Sequence, residues 1–499
     1  MKKRQILINA MMSTAQIVIV GGVLFILYRF LLKTIGVEQL GVWSLILAMT
    51  SVTQIANLGL SGSIVKYVAK YVARRDTASV SRVIQTAAIS AALFVGMVLL
   101  IGYPFIRWII SLVVPDKYIS LAISILPYAL LAFWIMIITS IFQSGLDGLH
   151  RIDLRCLLLM LGAIIQLLLS FILTPIYGLM GLAYSNIIKN LLILICSWVL
   201  LRRYFPSLPL FPYKWDKSLF KEIIGYGISF QVISITTMLY DPITKALLSK
   251  FGGLSMVGYF EMASKMIQQL RALLVSANQV LVPAIADLYE KIPEKIQSIY
   301  ISSYRLLFFL ALPLYSIIII LNPTISKIWI GHQENIFILF SALLSIGWFI
   351  NTLNAPAYFA FLGIGNLRWN VIGHVSIGLL NVGLGLLFGF LFDGAGVVVA
   401  WTISLILGSS VINLSYHIKN KIQLSELLPL DKNKLIILTC LSSILFSLFI
   451  GRIISNTRLI NIMVTSLPII ILICFWLHPM RKKLFGWVLD EVLNYKASA

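Results

Sequence analysis

The chain has 499 residues, of which 60% are apolar and only 11% are charged. Charged residues make up about a quarter of a soluble domain, so this composition excludes an ordinary soluble protein. The apolar residues fall in runs longer than the roughly 18 residues of a spanning helix, without the alternating pattern of an outer-membrane barrel. The sequence therefore predicts an all-α integral membrane protein.

The first apolar run, residues 10–32, follows the cationic start Met1-Lys2-Lys3-Arg4. It is longer than the apolar core of a signal peptide and lacks a small-residue cleavage site, so we interpret it as the first permanent helix. The apolar runs together predict about fourteen spans, centred on residues 11–32, 41–64, 83–105, 119–143, 155–175, 179–201, 223–248, 257–282, 302–321, 336–360, 371–391, 395–416, 435–454 and 459–478.

The distribution of Lys and Arg supports this count independently of hydropathy. With a cytoplasmic N-terminus, 27 cations fall in the cytoplasmic segments and 7 in the outer segments, as the positive-inside rule requires. The same asymmetry predicts that both termini are cytoplasmic. It also explains the net charge of +21 by loops beside anionic lipid, and it argues against a nucleic-acid partner.

Short echoes with a common offset predict an internal repeat. The stretch that begins at Leu31 is echoed from Leu247, and the Gly178 turn is echoed at Gly394. The predicted organisation is two six-helix lobes, related by a pseudo-twofold axis along the membrane normal as in other transporters, plus two C-terminal helices. The predicted boundaries are 1–204 for the N-lobe, 205–217 for a stiff cytoplasmic linker, 218–420 for the C-lobe, and 421–499 for the last two helices and the tail.

Cations at membrane depth are the main candidates for a binding site, because such groups are costly unless they face a cavity or a partner. The predicted cationic cavity consists of Arg29, Lys245, Lys265 and Arg271. Arg29 and Lys245 are 216 positions apart, which predicts two cations facing each other across the axis, a pair that suits a diphosphate. The alternative is that both side chains reach outward to the membrane surface.

Polar side chains on two spans predict a wet interior. Glu261, Lys265, Gln268 and Gln279 form a narrow polar stripe along one span. The alternative is that Glu261 and Lys265 form an ion pair that only packs helices together. Gln54 and Asn57 give the second span a milder polar face, which ordinary interhelical hydrogen bonds would equally explain.

Asp241 and Glu261 are the only acids at predicted membrane depth. They are candidates for binding a coupling proton or cation, and the alternative for Asp241 is charge balance with Lys245 four residues on. The sequence contains no phosphate-binding loop for ATP and no spacing of cysteines that suggests a metal, so no cofactor is predicted.

The segments that carry a resemblance to a known family are Leu40-Gly41-Val42-Trp43, its copy at Val257 to Phe260, and Gly145-Leu146-Asp147-Gly148. The chain resembles the polysaccharide transporter branch of the multidrug/oligosaccharidyl-lipid/polysaccharide flippase superfamily. The resemblance implies a transporter in the bacterial cytoplasmic membrane that moves a polyprenyl-diphosphate-linked oligosaccharide by alternating access. It further implies that the expected partners are this substrate, membrane lipids and a coupling cation.

Two other transporters and an enzyme are the alternatives. A multidrug exporter of the same superfamily would prefer acids in its cavity and twelve helices, and a flippase for lipid-linked peptidoglycan precursors would share the two additional helices. A membrane glycosyltransferase or polymerase is disfavoured by the repeat and by the lack of a large catalytic loop.

Overall fold

The computed structural model describes residues 3–52, 60–227, 231–276, 281–453 and 457–481. Within these ranges the chain forms seventeen α-helices and no strand. The predicted all-α fold is confirmed. The described chain divides into two compact units.

Unit 1 contains residues 1–261 and 389–397. Its complete helices are α1 (Lys3–Thr34), α2 (Gly36–Ser51), α3 (Leu60–Ala73), α4 (Thr77–Val113), α5 (Asp116–Gly148), α6 (Ile152–Tyr177), α7 (Leu179–Tyr204) and α8 (Lys217–Gly227). Within the unit α5 packs against α4 and α7, and α6 packs against α1 and α7. Helix α9 (Gln231–Ser276) begins in unit 1 and continues into unit 2.

Unit 2 contains residues 262–388 and 398–499. Its helices are α10 (Leu281–Lys291), α11 (Lys295–Trp329), α12 (Asn335–Leu353), α13 (Ala355–Ile364), α15 (Leu424–Leu427), α16 (Leu430–Ile453) and α17 (Thr457–Leu477), together with most of α14 (Arg368–Lys419). Helix α11 packs against α12, α16 and α17. The extents of the two units differ from those of the predicted lobes, and the division into lobes stays a prediction.

Eight helices of the described ranges are long and apolar enough to cross a membrane. Helices α9 and α14 each contain a turn, at Gly253 and at Phe392–Asp393, so each of them corresponds to two predicted spans. Helix α4 has 37 residues, which gives it a length of about 55 Å against a hydrocarbon core of about 30 Å. The chain is a multi-pass membrane protein, while the total of fourteen spans stays a prediction.

The backbone repeats at corresponding positions of the two halves. Gly36 and Gly253 have φ angles of 81° and 77°, and they are 217 positions apart. Gly178 (φ 59°, ψ −137°) and Asp393 (φ 55°, ψ −149°) have nearly the same rare conformation at an offset of 215. Because residues other than glycine rarely adopt positive φ, these matches are independent support for the predicted internal repeat.

Candidate functional site

A cluster of charged and polar side chains, all buried except the partly exposed Asp241, lies in unit 1. We call it the charge cluster, and its members are Tyr28, Ser44, Asp241, Lys245 and Glu261. The Lys245 ammonium lies 2.6 Å from a carboxylate oxygen of Asp241 and 2.6 Å from one of Glu261. Tyr28 donates a hydrogen bond of 2.7 Å to Glu261, and Ser44 donates one of 3.0 Å. Lys245 is therefore neutralised by two acids rather than available as a lone cation.

Close helix contacts hold the charge cluster together. A Cβ atom added at Gly41 in α2 would lie 2.0 Å from the carbonyl oxygen of Leu254 in α9. A Cβ atom added at Gly258 would lie 2.5 Å from the carbonyl oxygen of Val37. Each contact is the counterpart of the other at an offset of 217, so equivalent segments of the two repeats meet in a self-complementary crossing.

The same offset corrects the pairing predicted for Arg29. Counting by 217, the counterpart of Lys245 is Tyr28, and the counterpart of Glu261 is Ser44. Tyr28 is buried in the charge cluster, whereas Arg29 is exposed on α1. Arg29 makes no ion pair with a described residue. The described structure does not show two cations facing each other, because the sequence echo that suggested them was one residue out of register.

A second polar region lies in unit 2 around Arg271, and we call it the arginine site. The Arg271 Nε donates a hydrogen bond of 2.9 Å to the side-chain oxygen of Asn351, and the guanidinium lies 4.9 Å from the ring centre of Trp348. Asn351 is itself oriented by a hydrogen bond of 2.8 Å that its amide donates to Ser409. The guanidinium is thus fixed by one amide and one aromatic face.

No carboxylate of the described residues forms a salt bridge with Arg271. Its two terminal amino groups make no hydrogen bond to the described part of the chain. The indole N–H of Trp348 is buried and also has no acceptor there. Tyr315, Tyr358 and His374 lie within electrostatic reach of the guanidinium. The arginine site therefore presents a half-buried positive charge with several donors that have no acceptor among the described residues.

The other predicted site residues are placed as follows. Lys265 is half-buried on α9, in the part that belongs to unit 2. Gln268 is exposed, and its amide donates a hydrogen bond of 2.9 Å to Ser264. Gln54, Asn57 and Gln279 lie outside the described residues.

The sequence interpretation missed Tyr28, Ser44, Trp348 and Asn351. The first two could have been found by extending the repeat offset to Lys245 and Glu261. Trp348 and Asn351 carry no such signal, since a single aromatic and a single amide in an apolar helix are usually packing residues.

Comparison with known proteins identifies the family to which the chain belongs. The sequence profile of the family described as "Polysaccharide biosynthesis protein" matches residues 6–289, which is more than half of the chain. The chain belongs to this family. The chain is also 22% identical to a candidate O-antigen transporter of Shigella flexneri over 403 residues. The match covers 78% of this chain and 92% of that protein.

Solved structures of two transporters are among those that share this fold. The lipid II flippase MurJ in an inward closed conformation has a TM-score of 0.71 and 14% identity, covering 97% of this chain and 100% of that one. An inward-facing multidrug resistance transporter of the MATE family has a TM-score of 0.70 and 16% identity, covering 83% and 97%. The predicted polysaccharide branch of the flippase superfamily is confirmed, and the chain is a transporter rather than an enzyme.

Proposed function

We propose that this transporter moves a polyprenyl-diphosphate-linked oligosaccharide across the bacterial cytoplasmic membrane by alternating access, with Arg271 as a contact for the diphosphate. The observation that carries the proposal is the half-buried guanidinium of Arg271, which has no salt bridge to a carboxylate of the described residues. A cation at membrane depth is costly, so a site that keeps one without an acid is suited to an anionic cargo. Arginine also matches phosphate oxygens through paired donors.

The aromatic surroundings of Arg271 support the sugar part of the cargo. Trp348 supplies an indole N–H without an acceptor among the described residues, and the partly exposed Tyr358 interacts electrostatically with the guanidinium. Such side chains combine an apolar body with a polar tip, as a sugar ring with hydroxyl groups requires. Arg29 and Lys265 are proposed as further cationic contacts, and Gln54, Asn57, Gln268 and Gln279 as polar lining.

We assign Lys245 to a different role from the one predicted. Two carboxylates at 2.6 Å neutralise its charge, so it supports the helix crossing at Gly41 and Gly258 rather than the cargo. The coupling-cation role of Asp241 and Glu261 stays a prediction, as do the cytoplasmic location of both termini and the choice of the cytoplasmic membrane. The family and the 27 to 7 asymmetry of cations support these assignments.

The experiment replaces the chromosomal gene with an Arg271→Gln allele in cells that make the surface polysaccharide. We expect lipid-linked oligosaccharide to accumulate on the inner leaflet and surface polysaccharide to fall about tenfold or more, because a charge-assisted contact of roughly 1.5–3 kcal/mol is lost. Arg271→Lys should fall between the variant and wild type. Arg107→Gln is the matched control, since Arg107 is exposed near the C-terminal end of α4.

Normal surface polysaccharide with a normal amount of Arg271→Gln protein in the membrane would overturn the proposal. The alternatives give different readings in the same strains. A multidrug exporter would change drug sensitivity and leave the polysaccharide unchanged. A peptidoglycan precursor flippase would instead cause that precursor to accumulate.

A further inference from the structure

The segment between α7 and α8, residues 205–216, lies along the first turns of α4, and we call it the strap. The backbone N–H groups of Tyr213 and Lys214 donate hydrogen bonds of 3.2 and 3.1 Å to the side-chain oxygen of Gln85. Gln85 is buried, and its amide donates a hydrogen bond of 3.0 Å to Ser81. The strap is therefore fixed to α4 through its backbone rather than extending freely into water.

Further contacts define the direction of the strap. At the start of the strap, the Ser81 hydroxyl donates a hydrogen bond of 3.1 Å to the carbonyl oxygen of Ser207. At the end of the strap, the indole of Trp215 donates a hydrogen bond of 2.9 Å to Ser90, which lies two and a half turns further along α4 than Ser81. The strap thus descends along α4 towards the apolar part of that helix. Because α4 is about 25 Å longer than the hydrocarbon core is thick, its first turns and the strap beside them can extend to the membrane surface.

The strap directs apolar side chains outward although its backbone is held in place. Phe211 is 73% exposed and Tyr213 is 67% exposed, and Leu210 and Trp215 are exposed as well. Tyrosine and tryptophan are enriched at membrane–water interfaces, where the ring meets acyl chains and the polar tip meets head groups. Four exposed apolar or aromatic side chains in six residues are unusual for a connection that faces only water.

Two amphipathic helices continue this surface. Helix α8 packs against α3. The Ser63 hydroxyl of α3 donates a hydrogen bond of 2.8 Å to the carbonyl oxygen of Ile223, and Lys70 of α3 forms a salt bridge of 3.7 Å with Glu222. Ile223 is buried, whereas Lys221 is exposed on the other side of α8. A helix that buries its apolar side against the protein and exposes its cations can lie along a membrane surface.

The surface is predominantly positive. Residues 60–82 and 205–223 contain eight Lys or Arg side chains and three carboxylates. One of these carboxylates pairs with Lys70, and another, Asp216, lies 3.9 Å from Arg82. The two segments together therefore carry a net charge of +5. An array of cations beside exposed aromatic rings is complementary to a leaflet of anionic phospholipid.

We propose that the strap, α3 and α8 form a binding surface for the head groups of anionic phospholipid, with Phe211 and Tyr213 inserted among the acyl chains. The surface is independent of the cargo, because it lies within unit 1 and uses none of the residues of the arginine site. Binding there would anchor the connection that leads from α7 into α8 to the leaflet.

The test measures lipid bound to the full purified chain by native mass spectrometry, with phosphatidylglycerol and phosphatidylcholine offered separately. We expect wild type to retain phosphatidylglycerol preferentially. The variant Lys214→Gln/Lys217→Gln/Lys221→Gln should bind it roughly tenfold more weakly or worse, since each cation near an anionic surface contributes to attraction. The matched control Lys33→Gln/Arg107→Gln/Lys250→Gln removes the same charge from exposed positions of α1, α4 and α9 in unit 1 and should bind as wild type does.

A second variant tests the aromatic part. Phe211→Ser/Tyr213→Ser should weaken retention of phosphatidylglycerol while leaving its preference over phosphatidylcholine intact. Unchanged phosphatidylglycerol binding in the triple lysine variant would overturn the proposal, and so would equal losses in the matched control. Loss of a co-purifying protein from the triple variant, with lipid binding unchanged, would instead identify the surface as a protein interface.

Discussion

The charge cluster and the arginine site differ in how they compensate a cation at predicted membrane depth. Both contain a cation on α9 at predicted membrane depth, Lys245 in one case and Arg271 in the other. Lys245 lies between two carboxylates at 2.6 Å, whereas Arg271 has an amide oxygen and an aromatic face. A cation with both counter-charges in place serves packing, and a cation without them is suited to a ligand that brings its own negative charge.

The largest expected effect comes from breaking the charge cluster. Lys245→Met leaves two carboxylates close together without their cation, so we expect a loss of about 3–5 kcal/mol in the free energy of unfolding. The measurement is the thermal unfolding of the detergent-solubilised chain. Adding Glu261→Gln should recover part of the loss, because fewer uncompensated charges remain. An unchanged unfolding temperature for Lys245→Met would show that the ion pairs do not hold the crossing.

The next effect separates transport from stability at the arginine site. Arg271→Gln should change the free energy of unfolding by less than about 1 kcal/mol, because no carboxylate of the described residues loses a salt-bridge partner. Its transport of lipid-linked oligosaccharide should nevertheless fall about tenfold or more, since the charge-assisted contact to the cargo is absent. Thermal unfolding and accumulation of the unflipped lipid measure the two quantities on one variant. A loss of stability as large as that of Lys245→Met would remove the contrast between the two regions.

The helix crossing beside the charge cluster gives a smaller and purely steric test. Gly41→Ala places a methyl group 2.0 Å from the carbonyl oxygen of Leu254, so α2 and α9 must separate at a cost of about 1–3 kcal/mol. The matched control is Gly22→Ala in α1, where nothing lies within 4 Å of the added atom. The control should be neutral or stabilising by up to about 1 kcal/mol. Equal unfolding temperatures for the two variants would argue against the close crossing.

The smallest effect concerns the partly exposed carboxylate of Asp76, which serves as the baseline for the acids of the charge cluster. Asp76 caps α4, and its hydrogen bonds from the Ser79 side chain and backbone lower the pKa of this carboxyl. Because the folded pKa lies below the unfolded one, its contribution to stability is present at neutral pH and is lost as the pH falls through the folded pKa.

The check for Asp76 is the unfolding temperature as a function of pH. Asp76→Asn keeps an acceptor for the cap but cannot titrate, so this variant should lack the acid-side decline that Asp76 adds in wild type. Identical pH profiles for the two proteins would show that the cap does not affect the stability.

The sequence interpretation succeeded where a property repeats over many residues. Long apolar runs predicted the all-α membrane fold, and common offsets predicted the repeat that Gly36 and Gly253 now show in their backbone angles. It failed where one residue of register matters. Arg29 and Tyr28 are neighbours in sequence, yet in α1 successive side chains point about 100° apart, and only Tyr28 reaches Glu261.

The amino-acid sequence by itself determined that the chain spans a membrane many times, and it predicted two related halves and a few cations at membrane depth. Only the tertiary structure decided which of these cations are neutralised. The partners that decide it lie far along the chain: Tyr28 is 233 positions from Glu261, and Asn351 is 80 positions from Arg271. Electrostatic and hydrogen-bond energies depend on distances in space, so the role of a buried charge follows from the packing of helices and not from its own position in the sequence.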